Sequence, residues 1–116
     1  MAISIPNGVD SQTITTTEWS MMSLSNFPDT PATADGVYQL MLGLGDMVAG
    51  DELQVRIYEK VRSGDTQRIV YQVNLVGPQS QGFVFPGLIL MHGWDMTLDC
   101  IAGTTIDVEH AIYKVA

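Results

Sequence analysis

Polar and apolar residues alternate with a period of two along much of this chain. The alternation is strictest in "WDMTLDC" at 94–100, where every second residue is apolar and the residues between are Asp95, Thr97 and Asp99. Because successive side chains of a β-strand point to opposite faces, this pattern predicts a half-buried strand. Its apolar side chains are expected in a core, and the two aspartates are expected in solvent.

Shorter runs of the same period occur at 38–44, 53–61, 69–75 and 106–112, and the β-branched stretch at 13–24 is a further strand candidate. Turn-forming residues separate these runs, and no window shows apolar positions at helical spacing. The pattern predicts seven or eight strands in an all-β fold. An antiparallel β-sandwich of jelly-roll or Greek-key type is favoured, because the strands are uneven in length and the connections are long.

Several details of the fold are predicted at this stage. Leu24 is expected to be a buried anchor together with Ile14, Trp19 and Met21, and Pro86 is expected to end a short strand. The runs at 94–101 and 106–116 are expected to form a C-terminal hairpin. In the hairpin at 51–75 a three-residue loop is predicted, which would place Val61 beside Ile69, Ile57 beside Val73 and Val55 beside Leu75.

The chain has 116 residues, which fits one domain, and we assign this domain to residues 13–116. Residues 1–12 are small, polar and turn-rich, so a flexible N-terminal arm is predicted there. The start has no features of a secretory signal and the single Cys100 has no partner for a disulfide, so we expect a soluble protein made in a reducing cytoplasm.

The net charge is −8, which disfavours nucleic acid and anionic membranes as partners. The charge is unevenly distributed: residues 51–76 contain four basic and four acidic residues, whereas the other residues contain one basic and nine acidic residues. The four basic residues of the hairpin are Arg56, Lys60, Arg62 and Arg68. We predict that this basic stripe docks on an acidic protein surface; the alternative is that it solubilises an exposed strand and blocks edge-to-edge pairing.

Residues capable of chemistry are sparse. Asp95, Asp99, Asp107 and Glu109 lie at outward positions of two strands expected to be adjacent, where they could together bind a calcium ion. Carboxylates at alternating strand positions more often form a solvated face, so no metal is expected. Cys100 belongs to the buried set, where its ionisation is suppressed, so a nucleophilic pair with His110 is not favoured. We therefore expect a protein without cofactor or enzymatic activity.

The runs "GDELQVRIYEKVRSGDTQRIVYQ" and "PGLILMHGWDMTL", followed by a final strand ending "IYKVA", resemble the small head decoration, or cement, proteins of tailed bacteriophages. The resemblance implies a β-sandwich, often trimeric, that binds the outside of an assembled capsid. It thus implies a virion protein whose partners are the major capsid protein and further copies of the chain.

Two other classes fit the pattern. A carbohydrate- or receptor-binding β-sandwich of a phage fibre or tail would need an exposed aromatic platform, for which Tyr58 and Tyr113 are the outward candidates. A small cupin-like enzyme would need clustered histidines, and the chain has two, His92 and His110.

Overall fold

The computed structural model describes residues 4–27, 33–60, 62–79, 82–103 and 105–115, with side chains from Ser11 onward. These residues form nine β-strands and no helix long and apolar enough to cross a membrane. The strands are β1 (Ser4–Ile14), β2 (Trp19–Ser20), β3 (Ser25–Asn26), β4 (Gly36–Gly43), β5 (Glu52–Glu59), β6 (Arg68–Val76), β7 (Phe83–Leu90), β8 (Asp95–Ala102) and β9 (Ile106–Lys114).

The strands form two antiparallel sheets. Sheet A has the order β1-β9-β4-β7, and sheet B has the order β3-β2-β8-β5-β6. The hydrogen-bonded pairs β1/β9, β2/β8, β4/β7 and β5/β6 are nested, as if one long antiparallel ribbon had been folded over on itself. This is the strand order of a jelly roll, so the predicted all-β sandwich is confirmed. The described strands exceed the predicted seven or eight because β2 and β3, of two residues each, are separate.

The core lies between the two sheets. It contains the alternate apolar residues that were predicted to point inward from each central strand. Trp94, Met96, Leu98 and Cys100 of the β8 region are almost fully buried, as are the predicted residues of β4, β5 and β9. Ile14, Trp19 and Met21 are also buried, as predicted. Leu24 is not: it is 48% exposed and has a φ of 55°, because it closes the turn in which its N–H bonds to the carbonyl of Ser20.

The predicted arm at 1–12 is wrong for residues 4–12, which belong to β1. This strand pairs with β9 along its length, from Ser4 opposite Lys114 to Ile14 opposite Ile106. The pairing is irregular between Ser4 and Asn7 and between Asn7 and Asp10, around the turn-forming residues that suggested an arm. An edge strand tolerates such residues because only one of its sides must be hydrogen-bonded.

The hairpin of β5 and β6 has a different register from the predicted one. Ile57 lies opposite Tyr71, Val55 opposite Val73 and Leu53 opposite Leu75, a shift of two residues that keeps these residues on the predicted face. Ile69 was predicted on the same face, but an irregularity between Ile57 and Tyr58 places it opposite Tyr58, and it is 47% exposed. Glu59 ends β5 and Arg68 begins β6, so the connection is longer than three residues, and Val61 lies outside the described residues. The apolar pattern indicates which face a residue of a regular strand occupies, but it neither shows a bulge nor distinguishes registers that differ by two.

The predicted C-terminal hairpin and the predicted strand break at Pro86 are also wrong. β8 pairs with β5 and β2 in sheet B, whereas β9 pairs with β1 and β4 in sheet A, so the chain crosses between sheets after Ala102. β7 continues through Pro86 because it is an edge strand. A bulge opposite β4, with Gly87 at a φ of 67°, accommodates the missing N–H there.

Candidate protein-binding surfaces

The four residues of the basic stripe are not all free to bind a partner. Arg56 lies on the outer face of sheet B, where its Nη1 is 3.2 Å from Glu18 Oε1 and its Nε donates to Gln72 Oε1 at 3.0 Å. Its side chain is 25% exposed. The positive charge of Arg56 is therefore already paired within the chain.

The other three basic residues lie at the end of the hairpin where β5 passes to β6. Lys60 follows β5 directly and Arg68 is the first residue of β6, with its backbone opposite Glu59. Arg62 is highly exposed and forms an ion pair with Asp65 at 3.3 Å. This basic end, composed of Lys60, Arg62 and Arg68, is the part of the predicted stripe that a partner can reach.

Glu18 is the centre of a polar network on the outer face of sheet B. Its carboxylate accepts hydrogen bonds from Arg56, from the Tyr58 hydroxyl at 2.7 Å and from the Thr97 hydroxyl at 2.5 Å. Phe27 stacks on Tyr58 with ring centroids 4.7 Å apart. Residues 18–27 thus cover part of the face that the alternation of polar residues had predicted to be open to solvent.

The network changes the ionisation of Tyr58. Burial, and then the bond to Glu18, raises the pKa of Tyr58 from 10.0 to about 12. The folded chain therefore keeps a proton that the unfolded chain releases near pH 10. The stability that this contributes is complete below pH 10 and is lost as the pH rises from about 10 through about 12.

We expect Tyr58→Phe to flatten this pH dependence, because phenylalanine has no proton to release. The measurement is the urea midpoint of wild type and variant between pH 9 and pH 11.5. If the urea midpoint fell equally steeply with pH in the two proteins, the raised pKa of Tyr58 would not be the source of the pH dependence.

The four carboxylates considered for calcium do not form one cluster. Asp95 and Asp99 are buried, contrary to prediction, on the covered face of sheet B, whereas Asp107 and Glu109 are exposed on β9 of sheet A. Asp95 accepts hydrogen bonds from the Ser20 hydroxyl at 2.7 Å and the Met96 N–H at 2.8 Å. Burial raises the pKa of Asp99, although Arg56 opposes this shift. Within the described ranges no three His, Cys, Asp or Glu side chains are grouped to hold a metal.

The remaining residues considered for chemistry have structural contacts. Burial raises the pKa of the Cys100 thiol, which donates to the Ala102 carbonyl. His110 packs against Trp19 with ring centroids 5.3 Å apart. Tyr58 and Tyr113 lie on the outer faces of different sheets, so they do not form one aromatic platform.

The outer face of sheet A carries an apolar surface that the sequence reasoning missed. In the registers of β7, β4 and β9, Val37 lies opposite Ile89, while Met41 lies between Val84 and Ala111. Ile89 is 69% exposed, Val84 42% and Met41 36%. We call this surface the apolar face. Its members are Val37, Met41, Val84, Ile89, Tyr113 and the buried Ala111, and the polar Gln39 lies among them, opposite Tyr113.

Beside Met41 and Ala111 the apolar face contains a depression of about 300 Å³, with Tyr113 and Glu109 also in its wall. A sequence signal for this face exists: "VYQLML" in β4 is apolar at every position except Gln39, and "FVFPGLIL" in β7 is apolar at every position except Pro86 and Gly87. In a two-sheet sandwich each strand has one side against the core and one side facing outward. A strand that is apolar on both sides therefore exposes apolar residues unless another molecule covers them.

No protein-family model matches the chain, and no curated protein matches its sequence.

Proposed function

We propose that this protein is a non-enzymatic structural protein of a phage virion, a decoration or cement protein that binds the outside of the head and stabilises it. The partner is the major capsid protein, and the protein is made in the host cytoplasm before it joins the capsid surface. The apolar face of sheet A is the observation that carries the proposal. Exposed apolar residues on two hydrogen-bonded strands, β4 and β7, are typical of a surface that binds another protein.

The shape of the apolar face suits a broad protein contact. Its residues lie on β7, β4 and β9, so they are held by the sheet and lose little backbone freedom on binding. The exposed Asp107 and Glu109 lie on the same strand as Ala111 and supply a polar margin. A rigid surface of this kind fits the role that the resemblance implies, the bridging of neighbouring capsid subunits.

The first test is co-sedimentation with capsids that lack decoration. Ile89→Lys places a charge in the most exposed apolar position of the face, and we expect it to weaken capsid binding at least about tenfold, because the contact would bury an unpaired charge. Val48→Lys is the matched control: Val48 is 60% exposed in the connection between β4 and β5, so its substitution should leave binding unchanged. Equal binding by wild type and Ile89→Lys would place the contact elsewhere.

The basic end is proposed to assist docking on an acidic part of the capsid. We expect the double variant Lys60→Glu, Arg62→Glu to bind on the order of fivefold more weakly and to lose much of the salt dependence of binding. Arg56 is left in place because its substitution would disturb the network around Glu18. Lys114→Glu, at the one basic residue outside the hairpin, is the control. An unchanged affinity and salt dependence would leave the basic end a solvated surface.

The resemblance also implies a homo-oligomer, and a trimer on the head in particular. A threefold arrangement of bound copies, seen on decorated capsids by electron microscopy, would support this part of the proposal. Single, unclustered copies on the head would contradict it while leaving capsid binding itself intact.

A further inference from the structure

Four polar side chains form a row across the outer face of sheet B, from the edge strand β6 through β5 to the central strand β8. Asn74 lies opposite Gln54 in the β5/β6 pair, and Gln54 lies opposite Asp99 in the β5/β8 pair. Glu52, at the start of β5, is bound to Asn74. We call Glu52, Asn74, Gln54 and Asp99 the polar ladder.

The hydrogen bonds of the polar ladder run in one direction. Asn74 Nδ2 donates to Glu52 Oε2 at 2.5 Å, and Gln54 Nε2 donates to Asn74 Oδ1 at 3.2 Å. The atom that Gln54 has left is its Oε1, which is an acceptor, and the next side chain in the row is the carboxylate of Asp99. An ionised carboxylate has no hydrogen to donate, so the row cannot continue from Gln54 to an ionised Asp99.

Two oxygen atoms at this end of the polar ladder are buried and lack a donor. Within the part of the chain that the structure describes, neither Gln54 Oε1 nor Asp99 Oδ1 has a hydrogen-bond partner. Gln54 is 5% exposed and Asp99 is 8% exposed. Buried polar atoms are normally hydrogen-bonded, because an unpaired one loses its contact with water without compensation. One hydrogen between these two directly opposed residues would satisfy both oxygens.

We propose that Asp99 takes up a proton in the folded chain at mildly acidic pH and donates it to Gln54 Oε1, which completes the polar ladder. Reversal of both amide groups does not supply the missing hydrogen, because Asn74 would then need a hydrogen from Glu52, the carboxylate at the other end. The proton goes to Asp99 because this residue is buried, whereas Glu52 is partly exposed, and burial penalises the charged form.

The charges around Asp99 are consistent with proton uptake. Burial raises the pKa of Asp99, Arg56 lowers it, and Glu18 raises it again. Arg56 is already paired with Glu18 at 3.2 Å, so its charge is shared between two carboxylates. The charged and titratable groups on the elements around Asp99 are Asp51, Glu52, Arg56, Tyr58 and Glu59 in and just before β5, Arg68 at the far end of β6, Glu18 over the sheet, and Asp95 and Cys100 in β8.

Proton uptake makes sheet B more stable on acidification. The pKa of Asp99 is higher in the folded chain than the ordinary value of 3.8, so the folded chain binds this proton before the unfolded chain does. The stability contributed by Asp99 therefore rises as the pH falls through its folded pKa, and the gain is complete below 3.8. Because the polar ladder joins three strands, the proton fastens the edge strand β6 to the centre of the sheet.

Carbon-13 NMR of the side-chain carboxyl groups measures this proton directly. In the wild type we expect Asp99 to titrate with a midpoint above 3.8. Gln54→Met keeps the length of the side chain and removes the acceptor, so the protonated form loses its hydrogen bond and the midpoint should fall. Burial alone predicts no fall, because methionine excludes water from Asp99 as well as glutamine does. A wild-type midpoint at or below 3.8, or the same midpoint in Gln54→Met, would overturn the proposal.

Asp99→Asn completes the polar ladder without a proton, because its amide N–H can donate to Gln54 Oε1. We expect its urea midpoint to exceed that of the wild type at pH 7 and to approach it as the pH falls towards 4. Glu109→Gln removes one negative charge at an exposed position of β9 and should stay close to the wild type at both pH values. An Asp99→Asn variant less stable than the wild type at pH 7 would overturn the proposal. Neither experiment uses capsids, so the result does not depend on the proposed function.

Discussion

Replacement of Leu98 by alanine is expected to lower the free energy of unfolding by about 2 to 5 kcal/mol. Leu98 is fully buried in β8, the central strand of sheet B, with Val55 and Trp19 as its neighbours on the adjacent strands. Its removal leaves a cavity between two sheets, and the hydrogen-bonded ladders on both sides of β8 limit the collapse of that cavity.

Denaturant unfolding of wild type and Leu98→Ala measures this effect. Ile101→Ala is a suitable comparison, because Ile101 follows on the same strand but is 47% exposed, so its loss should cost far less. Comparable losses in the two variants would show that Leu98 is not in the centre of the core.

Replacement of Glu18 by alanine is expected to cost about 2 to 4 kcal/mol, although glutamate in an alternating β protein is ordinarily a surface residue. The change leaves the Arg56 guanidinium, the Tyr58 hydroxyl and the Thr97 hydroxyl without their shared acceptor. Tyr58 and Thr97 are almost completely buried, so water cannot fully replace the carboxylate.

Glu18→Gln should lose less stability, because the amide oxygen can still accept a hydrogen bond. Glu109→Ala, at an exposed glutamate of β9, is the control and should stay within about half a kcal/mol. Equal stability of Glu18→Ala and Glu109→Ala would mean that residues 18–27 do not depend on this network to cover sheet B.

The period-two pattern was sufficient to predict the core of this fold. It placed Trp94, just before β8, and Met96 and Leu98 of β8 inside, and all three are buried. It could not predict which strands are neighbours, because the same alternation fits a hairpin and a crossing between sheets. β8 and β9 therefore occupy different sheets although they are consecutive in the chain.

The polar face of sheet B shows a second limit of the pattern. Alternation places Asp95 and Arg56 opposite the core, but it does not show that residues 18–27 fold over that face. Glu18 contacts Arg56 and Thr97, which are 38 and 79 positions away in sequence, and such long-range contacts leave no local signal. The apolar face does have a local signal, because β4 and β7 are apolar at nearly every position in the sequence.

Electron cryo-microscopy of phage heads incubated with this protein tests the central claim most directly. The proposal predicts added density on the outside of the head, into which the two-sheet sandwich fits with the apolar face of sheet A against the major capsid protein. The proposal makes heads of the phage whose genome would encode the chain the proper substrate, with Ile89→Lys as the matched control. Heads that remain bare at saturating wild-type protein would contradict the proposed function, and density that places sheet B against the capsid would contradict the assigned surface.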